Sequence, residues 1–271
     1  MQKEQDYASK AFDNVAKNYD EIEFFKISAR YVVEMIQEHS LKPNLQILDV
    51  ACGTGNVVLE CASCMSGATF DAVDISESML EKAKVNAYLR ELENITFHMQ
   101  DITKFTIAKQ YDIVTCSYAL FFLPNTADVL KKLTQLLKPN GVVIFTSFLN
   151  NAFSPSNEIL IPLLKEHGSP SAQEYEINKW ENLKFKKDIE YLCTLAMTNS
   201  VEIQSKEIRY GFSLDNWWKL LNNTGYKGML MELDEESYLM LKEQYYKEMS
   251  IYADENLQVE LIADSYFVKV N

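Results

Sequence analysis

Apolar residues recur at helical spacing near the start of the chain, first at Phe12, Val15, Tyr19, Ile22 and Phe25 and then at Ala29, Val32, Val33 and Ile36. This predicts two helices between about residues 10 and 40. Lys-Pro-Asn at 42–44 ends them. The apolar run LQILDVAC (45–52) is followed by Gly-Thr-Gly and then by Val57, Val58 and Cys61 at helical spacing. That order reads as strand, tight turn, helix. The unit recurs in ATFDAVDI (68–75) with a helix through Met79, Leu80, Ala83, Val85 and Leu89, then in NITFHMQDI (94–102). It recurs again in YDIVTCSYAL (111–120) with a helix over 126–137, and KPNGVVIFTSF (138–148) supplies a fifth strand. Strands alternating with helices in this way pair in parallel through right-handed crossovers.

Beyond residue 150 the alternation stops. SPSNE (154–158) reads as a loop, and helices are expected near 158–167, 172–183 and 186–198. Two further segments, 200–212 and 257–270, have the period of strands and are expected to close the sheet as an antiparallel pair. Between them lie an aromatic helix, LDNWWKLLNNTGY, and an acidic amphipathic one from about 234 to 252, expected to form a lid.

With 271 residues, 47% of them hydrophobic, the chain can bury a core without metal or disulfide staples. Its 26 Lys plus Arg against 39 Asp plus Glu give a net charge of -13, which disfavours a nucleic acid partner. The densest basic run, Lys184, Lys186 and Lys187, is too short for a groove and reads as a solvated stretch. The N-terminus, MQKEQDYASKAFDN, is charged where a signal peptide needs an apolar core, and no window approaches the ~20 apolar residues of a membrane span. Five cysteines, an odd number spread from Cys52 to Cys193, suit reduced thiols and a cytoplasmic protein. Cys61 and Cys64 form a C-x-x-C with no second pair, so a helical position is the simpler reading than zinc or redox chemistry.

The segment Asp49-Val50-Ala51-Cys52-Gly53-Thr54-Gly55-Asn56 stands where a strand gives way to a helix. Small residues there admit a ligand close to the backbone, and the N–H groups of the new helix favour an anionic group such as a carboxylate. Asp49 can receive an ammonium, and Val58 stands where a dinucleotide fingerprint needs its third glycine. Asp74, 21 residues after Gly53, ends the second strand where a carboxylate can accept both ribose hydroxyls. Asp101 and Ile102 end the third strand, placed to meet an adenine that Met79 could pack upon. Singly, Asp49 and Asp74 could be turn formers or helix caps; together, at successive strand ends, they line the crevice where such sheets bind ligands.

In this order DVACGTGN, the acidic end of DAVDIS, QDI and YDIVTCSYAL resemble the motifs of class I S-adenosylmethionine-dependent methyltransferases, over about residues 10–150. The similarity is to the small-molecule branch of ubiquinone-biosynthesis type. It implies an α/β fold, a Rossmann-like doubly wound seven-stranded sheet, mostly parallel with the last strand antiparallel, carrying N-terminal helices and a helical lid insertion. Residues 1–150 would hold the N-terminal helices and cofactor-binding core, and 151–271 the lid or substrate region plus the last two strands. By the resemblance, Asp49, Ala51, Cys52, Gly53 and Gly55 cradle the methionine part, Asp74 and Ile75 the ribose, and Asp101, Ile102 and Met79 the adenine. Cys116 or Ser117 follows the fourth strand beside the methionine moiety, and Tyr19 closes over the cofactor unless it is simply a packed helix residue. Two departures stand out: Ala51 and Cys52 replace the usual first glycine pair, and Phe121-Phe122 stand where relatives often carry a polar residue.

Methyl transfer from a sulfonium is an in-line displacement whose charges partly cancel, so a dry, aligning site can do most of the work. Of the three histidines, His39, His98 and His167, none falls in a motif near the methyl, and His98 reads as structural. No cluster of carboxylates or histidines follows the fourth strand, so no metal is expected. CSYALFFLPN lacks the proline motifs of nucleobase methyltransferases. Tyr118, Phe121, Phe122, Phe148 and, with the lid folded back, Trp217 and Trp218 would favour an apolar or aromatic small-molecule acceptor, S-adenosylhomocysteine being the other product. Core packing is the competing reading for several of these aromatics, and Tyr118 is the candidate orienting or catalytic group. Two rivals stay open: a protein that binds S-adenosylmethionine for another chemistry or for sensing, and a nicotinamide oxidoreductase. The pattern sets no oligomeric state.

Overall fold

A computed structural model of the chain describes residues 12–40, 42–175 and 180–271. Expectations for residues 1–11, and for the middle of the helix predicted over 172–183, lie outside them. The chain runs through α1 (Glu23–His39), β1 (Gln46–Val50), α2 (Asn56–Cys64), β2 (Thr69–Asp74), α3 (Glu77–Leu89), β3 (Ile95–Met99), β4 (Tyr111–Ser117), α4 (Thr126–Gln135) and β5 (Leu137–Phe148). There follow α5 (Ser156–Glu166), α6 (Pro170–Glu174), α7 (Lys186–Ala196), β6 (Val201–Lys206), β7 (Arg209–Ser213), α8 (Leu214–Asn222), α9 (Tyr226–Leu230), α10 (Glu235–Met249), β8 (Gln258–Ile262) and β9 (Ser265–Val270).

The main sheet has seven strands in the order β3-β2-β1-β4-β5-β9-β6. β1 pairs in parallel with both β2 and β4, while β9 runs antiparallel between β5 and β6. The strand order reverses between β1 and β4, and ligands of open α/β sheets sit outside the carboxyl ends at such a switch point. The inner strands are nearly continuous apolar runs because helices cover both faces. Val33, Val58 and Leu80 of α1, α2 and α3 bury one face, and Leu130, Leu133 and Leu192 of α4 and α7 bury the other. Each such side chain contributes roughly 1.5–3 kcal/mol. A third apolar body joins Trp217, Leu241 and Tyr245 of the later helices to Phe24, Tyr118 and Phe153.

Several expectations are corrected. The first predicted helix has ended by residue 13, and turns, including a 3₁₀ turn at Tyr19–Glu21, lead into α1. The described parts of 172–183 are the short α6 and a 3₁₀ turn at Trp180–Asn182. The segments 200–212 and 257–270 are each two strands rather than one. β6 and β9 extend the main sheet, whereas β7 and β8 form a separate ribbon from Arg209↔Ile262 to Ser213↔Gln258. Asp264 makes the break: buried in the kink, it accepts the Ile208 N–H at 3.1 Å, the Asn151 amide at 2.9 Å and the Arg209 guanidinium through both oxygens. Trp217 and Trp218, 0% and 7% exposed, lie in the third core, where the Trp217 indole donates to the Val259 carbonyl, and neither lines the cleft described below.

Candidate active site

A cleft of about 740 Å³ opens at the carboxyl ends of the parallel strands. Of the residues singled out in the sequence, Tyr19, Ala51, Gly53, Asp74, Ile75, Met79, Asp101, Ile102, Ser117 and Tyr118 line it. Asp49 and Cys52 line a smaller adjoining pocket that shares Tyr19, Gly53 and Ser117 with the cleft. Cys116 and Gly55 line neither. Alternation along β4 turns Cys116 into the core beside Val114 and Phe145, which leaves Ser117 on the cleft side.

Both glycines of the turn have left-handed backbone, Gly53 at φ +56° and Gly55 at +92°. Their reasons differ. A Cβ on Gly55 would stand 3.0 Å from the Leu59 side chain, so this glycine lets α2 begin tightly. A Cβ on Gly53 would meet nothing within 4 Å, because that position faces open space that a ligand can enter.

Asp74 takes the Gly53 N–H at 2.7 Å on one oxygen and the Ser76 N–H at 2.9 Å on the other. The second strand's carboxylate is thereby tied to the first strand's glycine turn. Burial raises its carboxyl above the ordinary range, and the amides of Ser76, Gly53 and Ile75 oppose that. Asp49 is 1% exposed. One of its oxygens accepts the Thr115 hydroxyl at 2.7 Å, and the other has no partner among the described residues. Burial pushes its carboxyl up to about 7, against the Thr115 and Val58 hydrogen bonds. Such an oxygen suits a cation entering the pocket. Asp101 differs: burial works against its ionisation, yet the Thr103 hydroxyl (2.7 Å), the Thr103 N–H (2.9 Å) and Lys104 (3.4 Å) hold it below the usual range.

Tyr19 stacks on Phe25 at 4.7 Å, and burial with Asp74 and Asp20 nearby keeps its phenol protonated. Tyr118 is more constrained. Its backbone is left-handed at φ +50°, its N–H donates to Thr146 Oγ1 at 2.9 Å, and its hydroxyl donates to Ser265 Oγ at 2.7 Å. Burial raises its phenol to about 12. The ring, stacked at 4.3 Å on Phe148, lies along the cleft while the hydroxyl is spent on β9.

The sequence reading missed Ser76, Gln100, Asn125, Asp128, Glu181 and Leu195, all of which line the cleft. Ser76 could have been found: it caps α3 by accepting the Met79 N–H at 3.1 Å, a role its place before a helical run announces. Asp13 accepts the Ser76 hydroxyl, a long-range pin that no local pattern signals. His98 bonds Asp71 at 2.7 Å, beside Lys109 and Tyr111, and none of the three histidines lines the cleft. Cys61 and Cys64 sit on α2, one buried and one exposed.

A family model described as a methyltransferase domain matches residues 41–213. Malonyl-[acyl-carrier protein] O-methyltransferase of Bacillus cereus is 29% identical over 146 residues, 53% of this chain and 53% of that protein. The chain thus spans about half the length of that relative. Aklanonic acid methyltransferase of a Streptomyces species is 29% identical over 186 residues, 64% of this chain and 83% of that one. Phosphoethanolamine N-methyltransferase 2 of Haemonchus contortus, solved with S-adenosyl-L-methionine, shares the fold at a TM-score of 0.53 and 17% identity, over 88% of this chain and 51% of that chain. The carboxylate-tipped strands, the glycine turn and the family match converge: the chain belongs to the class I S-adenosylmethionine-dependent methyltransferases.

Proposed function

We propose that this protein transfers the methyl group of S-adenosylmethionine to a small-molecule acceptor, releasing S-adenosylhomocysteine. One observation carries the reading: at the tips of neighbouring strands, Asp74 is anchored to the Gly53 turn while Asp49 keeps a buried oxygen that has no partner among the described residues. An amino-acid nucleoside offers what those two groups lack, an ammonium for Asp49 and ribose hydroxyls for Asp74. Bound there, the sulfonium supplies the methyl group.

The protein's own residues bind and orient. Gly53, Ala51 and Cys52 let the methionine part approach the backbone; Ile75, Met79 and Ile102 pack on the nucleoside with Asp101 at the adenine edge. Gly55 and Cys116 act one layer back, by shaping the turn and by packing β4. Ser117 and the ring of Tyr118 form the wall toward the acceptor, joined by Phe121 and Phe122. With its hydroxyl bound to Ser265, Tyr118 serves as a positioning surface rather than as a base. The aromatic wall favours an apolar or aromatic body and excludes water around the transfer, and alignment then supplies most of the rate.

We take residues 1–150 as the cofactor-binding part and the later helices as the acceptor-side cover. No metal role enters this reading, nor does a nucleic acid partner. The free cysteines support a cytoplasmic setting. Incubating the protein with methyl-labelled S-adenosylmethionine and a small-molecule extract, followed by mass spectrometry, tests the reaction. A labelled small molecule is expected; cofactor binding with no labelled product across extracts would instead make the protein a sensor.

A further inference from the structure

Ser117 ends β4 and pairs in register with Thr146 of the neighbouring β5, which puts the two hydroxyls on one face of the sheet. Ser117 is partly buried and lines both the cleft and the smaller pocket of Asp49, where the two spaces meet. Thr146 is fully buried and lines neither.

The two hydroxyl oxygens lie 2.9 Å apart, a distance at which either could donate. The surroundings of Thr146 decide the direction. Its Oγ1 already accepts the Tyr118 N–H at 2.9 Å, and among the described residues Ser117 Oγ is the one acceptor its own hydrogen reaches. A hydroxyl has a single hydrogen to give. Were Ser117 the donor, the Thr146 hydrogen would be sealed inside the sheet with no acceptor, an arrangement that folded chains avoid. Thr146 therefore donates to Ser117, and the Ser117 hydrogen is left to point into the space that Ser117 lines.

A donor there has a use in the proposed function, on which this inference rests. That reading puts the ammonium of an amino-acid nucleoside on Asp49, in a pocket of about 40 Å³. The carboxylate of the same ligand hangs from the same carbon, so it settles close by and needs donors of its own. The glycine turn spends several of its N–H groups within the chain: Cys52 donates to the Val73 carbonyl, Gly53 to Asp74 and Gly55 to the Cys52 carbonyl. Ser117 faces the same pocket from β4 with its hydrogen free.

We infer that Ser117 donates its hydroxyl to the carboxylate at the amino-acid end of the cofactor, and that Thr146 is the positioning residue that turns this donor toward it. Thr146 acts without touching the ligand. A hydrogen bond to a carboxylate is among the stronger ones, and its loss is read as a fold-change in affinity.

The test is calorimetry on the full chain with two ligands, S-adenosylhomocysteine and decarboxylated S-adenosylhomocysteine, which keeps the ammonium and the nucleoside and lacks only the carboxylate. The parent ligand is expected to bind the wild-type protein more tightly by at least about tenfold. That ratio should fall several-fold in Ser117→Ala and in Thr146→Val, and stay near the wild-type value in Thr146→Ser. A merely structural role for Thr146 would weaken both ligands alike and leave the ratio unmoved. Should Thr146→Val not fold, Thr146→Cys, which offers only a weak donor, is read in its place. No preference in the wild-type protein, an unchanged ratio in Ser117→Ala, or a ratio lowered there but kept when the Thr146 hydroxyl is removed overturns the inference. Failure of the wild-type protein to bind either ligand removes the proposed function, whereas binding with an unmoved ratio removes only the hydroxyl relay.

Discussion

Two carboxylates, Asp49 and Asp264, are equally sealed from solvent at 1% and 2% exposure, yet their surroundings are opposite. Asp264, at the kink between β8 and β9, is met by the Ile208 N–H, the Asn151 amide and the Arg209 guanidinium. Burial would raise its carboxyl, but those donors hold it below the ordinary range. Asp49, at the tip of β1, has one hydroxyl and one backbone donor, a second oxygen with no partner among the described residues, and a carboxyl pushed up to about 7. A burial cost met inside the chain marks architecture, and one left open beside a cleft marks a place where something else completes it.

The largest effect should come from breaking the completed side. Asp264→Ala leaves Arg209, Asn151 and the Ile208 N–H without their acceptor and should cost about 3 kcal/mol in chemical denaturation. A loss below ~1 kcal/mol would erase the contrast. Next is Asp74→Ala. It should weaken S-adenosylhomocysteine binding about a hundredfold, equivalent to ~3 kcal/mol, while circular dichroism stays unchanged.

Asp49 gives a pH signature. An ammonium needs the ionised carboxylate, and with a carboxyl near 7 the ionised fraction rises roughly tenfold from pH 6 to pH 8, so affinity should rise by about that factor. In Asp49→Asn the dependence should vanish. The stability sign is reversed. Because the folded carboxyl holds its proton more tightly than the unfolded one, its contribution to the ligand-free protein is present below the ordinary carboxylate range and lost as pH rises through about 7. Asp49→Asn should therefore stabilise the ligand-free protein at pH 8 by on the order of 2 kcal/mol, which denaturation at pH 5 and pH 8 would reveal. The smallest effect is expected for Tyr118→Phe, about 1 kcal/mol of stability from the lost bond to Ser265, with turnover nearly kept. A collapse of turnover at unchanged stability would return the hydroxyl to a catalytic role.

How legible each region was follows from the same contrast. The run 45–75 was readable because two buried strands, a glycine turn and two strand-end aspartates are local patterns, and parallel strands covered on both faces are apolar throughout. The kink at Glu207–Ile208 was not. Period-two alternation continues across it, and the residue that breaks the strand, Asp264, comes from 56 positions further along. Cys116 and Ser117 were equivalent in sequence, since a strand's period does not say which face meets the crevice. The Trp217-Trp218 pair declared an aromatic helix, but its burial against Tyr245 and Val259 is tertiary. Asp128 and Glu181 carry no motif in the sequence, one near the start of a predicted helix and the other inside one, and only the fold places them on the cleft.

A crystal structure of the protein with S-adenosylhomocysteine tests the central claim most directly. The ribose hydroxyls should lie within hydrogen-bond distance of the Asp74 carboxylate, with the ammonium on the second oxygen of Asp49. The ligand lodged elsewhere, or bound in this cleft with its ribose turned away from Asp74, would contradict the account.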